Sequence, residues 1–212
     1  MIAALAVLLA LAPQHGAGRH GNPADLESYV ARLEDPARDA WQKPDAVVAA
    51  LGLRPGQTAC DIGAGPGYFT LRLSAAVGPS GRVYGVDVEP FILGTLRDRI
   101  EAAQATNVTP VLGVGDDPLL PGALCDLVLI VDTYHHFPER TRYLQRLVRS
   151  LKPGGRIVNI DYEKKATPVG PPMEHRISRD EFVAEAGLAG LAVVAEPRLL
   201  PYQYFIVLEP RR

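Results

Sequence analysis

The spacing of apolar positions along this chain switches repeatedly between two periods, and glycine or proline marks most of the switches. Short apolar runs at 58–62, 82–87 (RVYGVD), 107–113 (NVTPVLG), 126–131 (DLVLIV), 156–161 (RIVNID), 191–196 and 203–209 read as strands. The unbroken run at 126–131 is that of a strand covered on both faces. Between these runs, helical spacing covers 68–77, 90–103, 139–151 and 178–186. In the third of these, Tyr143, Leu144, Leu147, Val148 and Leu151 form one stripe. Ser178 with Glu181 three residues on has the form of a capping box. Lys152-Pro153-Gly154-Gly155 reads as a sharp stop before the fifth strand. The alternation predicts an α/β fold: a Rossmann-like, doubly wound, mostly parallel seven-stranded sheet with an antiparallel C-terminal edge strand.

Two helices precede the first strand. Residues 24–33 carry Leu26, Tyr29, Val30 and Leu33 at helical spacing, with Asn22 or Asp25 as caps. Residues 44–51 start at Pro44 and stop at Gly52. Together 24–53 form a helical cover on a domain spanning 24–212. Residues 1–23 stand apart. Residues 1–12 are almost wholly apolar and too short to span a bilayer, and Ala10-Leu11-Ala12 resembles the end of a secretory signal. No Lys or Arg precedes that run and Pro13 follows it, so an N-terminal helix packed on the domain, or a mis-set start codon, competes with export. The expected location is exported or periplasmic if the segment is a signal, and cytoplasmic otherwise. Residues 13–23 (PQHGAGRHGNP) read as a flexible tail, with His15 and His20 solvated.

Composition narrows the picture. The 212 residues suit one domain with a sizeable core. A formal net charge of -2 and the lack of a basic stripe argue against a nucleic-acid partner; Arg140, Arg142, Arg146 and Arg149 fall on a surface helix. The two cysteines, Cys60 and Cys125, lack metal-ligand spacing, so no metal site is expected. Cys60 lies near the end of one strand and Cys125 near the start of another. Those ends face opposite ways in a parallel sheet, so two free buried thiols are expected.

The most informative run is Asp61-Ile62-Gly63-Ala64-Gly65-Pro66-Gly67, between the first strand and the helix at 68–77. Glycines allow a tight turn and close approach of the backbone to a ligand, and the helix start offers free N–H groups. The spacing is G-x-G-x-G rather than the dinucleotide G-x-G-x-x-G. Asp61, two residues ahead, suits a cation better than a pyrophosphate. The run resembles the first motif of the class I S-adenosylmethionine-dependent methyltransferases, D/E-x-G-x-G-x-G. Gly85-Val86-Asp87, Gly115-Asp116-Asp117 and Leu151-Lys152-Pro153-Gly154-Gly155 follow in the family's order, and the resemblance covers about residues 41 to 209.

The resemblance implies S-adenosyl-L-methionine as cofactor and methyl transfer to a small-molecule acceptor. It implies a binding set of Asp61, Gly63, Ala64, Gly65, Gly67, Asp87, Val88, Asp116, Asp117 and Asp132. Asp87 would accept from the ribose hydroxyls, Asp116 from the adenine amino group, and Asp61 would orient the methionine end. Asp132-Thr133-Tyr134-His135-His136-Phe137 leaves the carboxyl end of the fourth strand, where open α/β sheets place their ligand crevice. His135 and His136 are candidate general bases, and Tyr134 a candidate wall for the acceptor. His175, with Arg176, lies on the Pro- and Gly-rich 162–177 connection at the same rim and could meet the acceptor. Trp41-Gln42-Lys43 could close over the cofactor. Arsenic-type methylation is disfavoured, because it needs several exposed cysteines. The competing readings are a nicotinamide-dependent oxidoreductase and a non-catalytic S-adenosylmethionine-binding module.

Overall fold

The computed structural model describes residues 25–211. The signal-like segment and the tail with His15 and His20 lie outside the described residues. Three short helices come first: α1 (Leu26–Leu33), α2 (Asp39–Gln42) and α3 (Pro44–Leu51). Asp25 caps α1 by accepting from the Ser28 N–H at 3.0 Å. The alternating body follows as β1 (Thr58–Ile62), α4 (Thr70–Val77), β2 (Arg82–Asp87), α5 (Pro90–Ala102), β3 (Val108–Leu112), β4 (Cys125–Val131), α6 (Arg140–Ser150), β5 (Leu151–Tyr162), α7 (Arg179–Leu188), β6 (Leu191–Ala195) and β7 (Gln203–Pro210).

The seven strands are ordered β3-β2-β1-β4-β5-β7-β6. Pairings from β3 to β5 are parallel, and β7 runs antiparallel to both β5 and β6. The chain builds one way from β1 to β3 and then returns to add β4 on the other side of β1. The carboxyl ends of β1 and β4 therefore flank the topological switch point, where open α/β sheets hold their ligands.

Alternation along the strands divides the core between two faces. On β4, Val128 and Ile130 face Leu144 and Leu147 of α6 and Phe182 of α7. Leu127, Leu129 and Val131 face the other way, toward Val47 and Leu51 of α3 and Leu73 and Val77 of α4. Each of these buried apolar side chains contributes roughly 1.5–3 kcal/mol. Polar contacts join the cover to the body at several points, two of which differ sharply in burial. Gln42 Nε2 donates to Gln203 Oε1 at 2.9 Å in the interior. Glu34 and Arg99 form a half-exposed ion pair at 2.8 Å.

Two expectations need correction. The Lys152-Pro153-Gly154-Gly155 stop lies inside β5, which begins at Leu151. Cys125 pairs with Leu151 and Leu127 with Arg156, so residues 152–155 are accommodated as an irregularity in the ladder. The side chain of Asp126 spans this break by accepting from Thr58 N–H and Lys152 Nζ, each at 2.7 Å. The second correction concerns the thiols. Cys60 and Cys125 form a disulfide across β1 and β4, with Cα atoms 6.1 Å apart. Cys60 pairs with Val128, three residues beyond Cys125. In a regular strand that odd offset would turn Cys125 to the opposite face. The irregularity between Cys125 and Leu127 restores it to the face of Cys60, and both sulfurs lie in one cluster.

Candidate cofactor and acceptor site

The glycine turn after β1 is built from three residues with positive φ: Gly63 at 73°, Gly65 at 56° and Gly67 at 96°. Their surroundings differ. A Cβ on Gly63 would collide with Thr133 Oγ1, and one on Gly67 would lie 2.6 Å from Leu96 Cδ1. Those two glycines let the turn pack against the β4 rim and α5. A Cβ on Gly65 would meet only Leu33 Cδ1 of the cover, at 3.5 Å. Gly65 is thus the member of the turn that faces open space beneath the cover. Ala64 is buried, and its N–H joins that of Gly63 on Val86 O at 2.9 and 2.8 Å.

Asp61 is buried, and its Oδ2 accepts from the Thr70 hydroxyl at 2.6 Å at the start of α4. Burial pushes its carboxyl up to about 6 against that hydrogen bond. Asp87 closes β2 and is already engaged at both oxygens: Oδ2 accepts from Gly65 N–H at 2.9 Å and Oδ1 from Glu89 N–H at 3.0 Å. Each carboxylate oxygen carries a further lone pair, so Asp87 can hold the turn and still accept from a ligand hydroxyl. Burial also raises its pKa, with the Glu89 and Gly65 N–H groups opposing. Val88, 52 % exposed, continues from Asp87, and exposed Leu112 is Asp87's partner on β3. Both are exposed apolar side chains next to Asp87, of the kind a purine face needs. Asp116 and Asp117 follow on an exposed turn, where Arg146 of α6 pairs with both, at 3.1 and 3.3 Å. α6 thus braces this turn through Arg146.

Across the switch point, Asp132 ends β4 at a φ of 52°. Its Oδ1 is buried without a hydrogen-bond partner. Burial and then the Asp161 charge push its pKa up to about 6. His135 follows on a short 3-10 turn, Tyr134–His136. Its Nδ1 lies 3.1 Å from Asp161 Oδ2 and 4.0 Å from Asp132 Oδ1. Asp161, near the end of β5, is fully buried, and its other oxygen accepts from the Tyr162 N–H at 2.8 Å. Burial disfavours the imidazolium of His135, but Asp161 and then Asp132 outweigh it, so the pKa is raised. The neutral ring then carries its proton on Nδ1 toward Asp161 and keeps its lone pair on Nε2. The exposed His136 ring lies 4.1 Å from the His135 ring.

The remaining expected residues fall elsewhere. Tyr134 is not a wall of the crevice: it is fully buried, donates to Glu185 Oε2 at 2.5 Å, and packs edge-on against Phe137 and Phe182. Arg176 is likewise buried. It donates to the carbonyls of Pro171, Glu163, Lys165 and Val169, pinning the 162–177 connection over Tyr162. His175 stands exposed on that connection. Trp41 meets Tyr162 at 5.7 Å, which closes the cover onto the rim beside Asp161. Two charged residues went unread in the sequence. Asp161 was visible as an acid at the carboxyl end of a strand. Arg38 sits in a turn with no periodicity, so no pattern marks it.

A family model described as a methyltransferase domain matches residues 59–155. A demethylmenaquinone methyltransferase of Shouchella clausii is 32% identical over 145 residues, covering 68% of this chain and 60% of its own length. An arsenite methyltransferase of Halobacterium salinarum is 31% identical over 152 residues, covering 71% of this chain and 38% of its own. The crystal structure of a SAM-dependent methyltransferase from Aquifex aeolicus superposes with a TM-score of 0.82 at 28% identity, covering 85% of this chain and 96% of that one. The chain spans about half the length of the curated relatives it matches. Glycine turn, sheet order and these matches agree: residues 59–155 carry a methyltransferase domain, on the fold of S-adenosylmethionine-dependent methyltransferases. The nicotinamide-dependent reading is set aside.

Proposed function

We propose that this domain transfers a methyl group from S-adenosylmethionine to a small acceptor that must give up a proton, such as a hydroxylated aromatic ring or hydroquinone. The residues present fit the cofactor. Gly65 leaves backbone space, Asp87 offers unused lone pairs, Val88 and Leu112 offer exposed apolar surface, and buried Asp61 and half-buried Asp132 offer acids for an ammonium. S-adenosylmethionine supplies a methyl carbon made electrophilic by a positively charged sulfur.

The observation that carries the acceptor class is the His135–Asp161 contact. A nucleophile with a free lone pair needs only alignment. A hydroxyl or a phenol-activated ring carbon must also lose a proton, and a positioned base contributes about 10²–10⁴-fold. Asp161 fixes the imidazole so that Nε2 would accept that proton from the acceptor, while bound S-adenosylmethionine would supply the methyl group. Disulfide bonding of both cysteines removes the thiols an arsenic acceptor would use. The printed name of the Shouchella relative, a demethylmenaquinone methyltransferase, supports a quinol-type ring. The test is S-adenosylhomocysteine release with a soluble naphthohydroquinone against a matched thiol and amine. Release with the hydroquinone, lost in His135→Gln, is expected. Release with the thiol or amine alone would overturn the acceptor class.

The compartment belongs to the same proposal. A disulfide between neighbouring core strands suits an oxidising location, which favours export. Mass spectrometry of the native protein, reading both the mature N-terminus and thiol alkylation, tests it. An intact N-terminus with two alkylated cysteines would refute export.

A further inference from the structure

Several arginines lie on the elements around the glycine turn and the crevice, and most are spoken for. Arg72 donates to Tyr68 O and lies 3.6 Å from Asp39. Arg99 donates to Pro66 O and pairs with Glu34. Arg176 is consumed by four backbone carbonyls. Arg38 differs. Among the described residues, no carboxylate lies within ion-pair distance of it. Its guanidinium carbon lies over the Tyr68 ring, 4.1 Å from the centroid, with the Trp41 ring at 6.0 Å. One terminal nitrogen donates to Leu33 O at 3.0 Å, while Nε is buried with no partner. A buried, unmatched guanidinium N–H is costly, and so marks a place where a ligand atom would be gained.

The position gives the ligand. Arg38 holds the carbonyl of Leu33, whose side chain lies against open Gly65. It also lies within electrostatic reach of buried Asp61 and half-buried Asp132, two acids of the crevice. A fixed cation and two acids around one opening match an α-amino acid zwitterion: the acids take its ammonium and the guanidinium its carboxylate.

We infer that Arg38 is the carboxylate anchor for the methionine end of the cofactor, supplied by the N-terminal cover rather than by the sheet. This rests on the cofactor reading above and adds a named partner for the carboxylate. The cover then carries one half of the amino-acid clamp, with Leu33 of α1 over the open Gly65.

The test compares two ligands by calorimetry. S-adenosylhomocysteine carries the amino-acid end; 5′-methylthioadenosine shares the nucleoside and sulfur but lacks it. In Arg38→Met, affinity for S-adenosylhomocysteine is expected to fall roughly 10- to 100-fold, as for loss of a charge-assisted hydrogen bond. Affinity for methylthioadenosine is expected to stay unchanged, and Arg38→Lys to recover part of the loss. An equal fall for both ligands would make Arg38 a structural support of the cover and overturn the inference, as would no change for either. A native protein that binds neither ligand would instead refute the cofactor reading itself. Thermal melting of each variant reports folding separately from binding.

Discussion

His135 and Asp161 leave different strands, yet their side chains meet at 3.1 Å beneath the rim of the sheet. β4 and β5 are parallel neighbours, and Val131 pairs with Ile160. Asp161 is therefore one residue past that pair, and the 3-10 turn folds His135 back over it. The contact is thus a product of register.

This pair predicts a pH profile. The raised imidazole pKa means His135 is protonated, and silent as a base, at pH values below a midpoint above 6.5. Activity is expected to rise with pH through that midpoint. Asp161→Asn is expected to lower the midpoint and to reduce turnover by about 10²-fold or more, while S-adenosylhomocysteine binding stays intact. A pH–rate series with NMR titration of the His135 ring checks both. The charged pair also stabilises the fold at low pH, a contribution lost as pH rises through the imidazole pKa.

The buried acids act in the opposite sense to surface carboxylates. Asp61 and Asp132 both titrate near 6 in the folded protein, above the ordinary value of 3.8. Between these values the folded state holds more protons than the unfolded state, so stability falls as pH rises from about 4 to 6. Asp61 alone accounts for about 3 kcal/mol of that fall. Asp61→Asn is expected to flatten the curve, since Thr70 can still donate to an amide oxygen. Chemical denaturation of the ligand-free protein from pH 4 to 7 measures it.

The glycines of one turn are expected to fail differently. Gly65→Val is expected to fold with a loss of about 1–2 kcal/mol from its φ and to lose cofactor binding. Gly63→Ala drives a methyl group into Thr133 on the neighbouring strand end and is expected to lose stability as well as binding. Circular dichroism melts beside calorimetry separate the two. Equal melting temperatures for both variants would contradict the packing described for Gly63.

Removing the disulfide is expected to weaken the whole domain. Cys60 and Cys125 are separated by 65 residues, and chain-entropy reasoning assigns such a link about 4 kcal/mol. At about 2–4 °C per kcal/mol for a domain of this size, Cys60→Ser is expected to lower the melting temperature by roughly 10 °C. The same shift is expected for the native protein after reduction and alkylation of both sulfurs.

The sequence made the sheet and half the site legible, for a physical reason. Strands buried on both faces and glycine turns impose local composition, so 58–62, 82–87 and 126–131 could be read nearly to the residue. Features fixed by long-range register left no such trace. The Cys125–Leu127 irregularity turns one side chain to the other face, and no local rule anticipates it. Tyr134 looked like a rim residue because its neighbours are. Its hydroxyl instead finds Glu185, 51 residues away, with Arg140 bridging the same acid at 2.8 Å. Arg38 has no helical stripe to announce it, and its meaning comes only from what it leaves unbonded.

The cover is fastened unevenly. Its root is the Gln42–Gln203 amide pair, sunk in the interior, whereas its leading helix is tied to α5 by the half-exposed Glu34–Arg99 pair. Releasing the latter costs about 1 kcal/mol or less. The tie at the leading helix is thus much easier to break than the amide pair behind it.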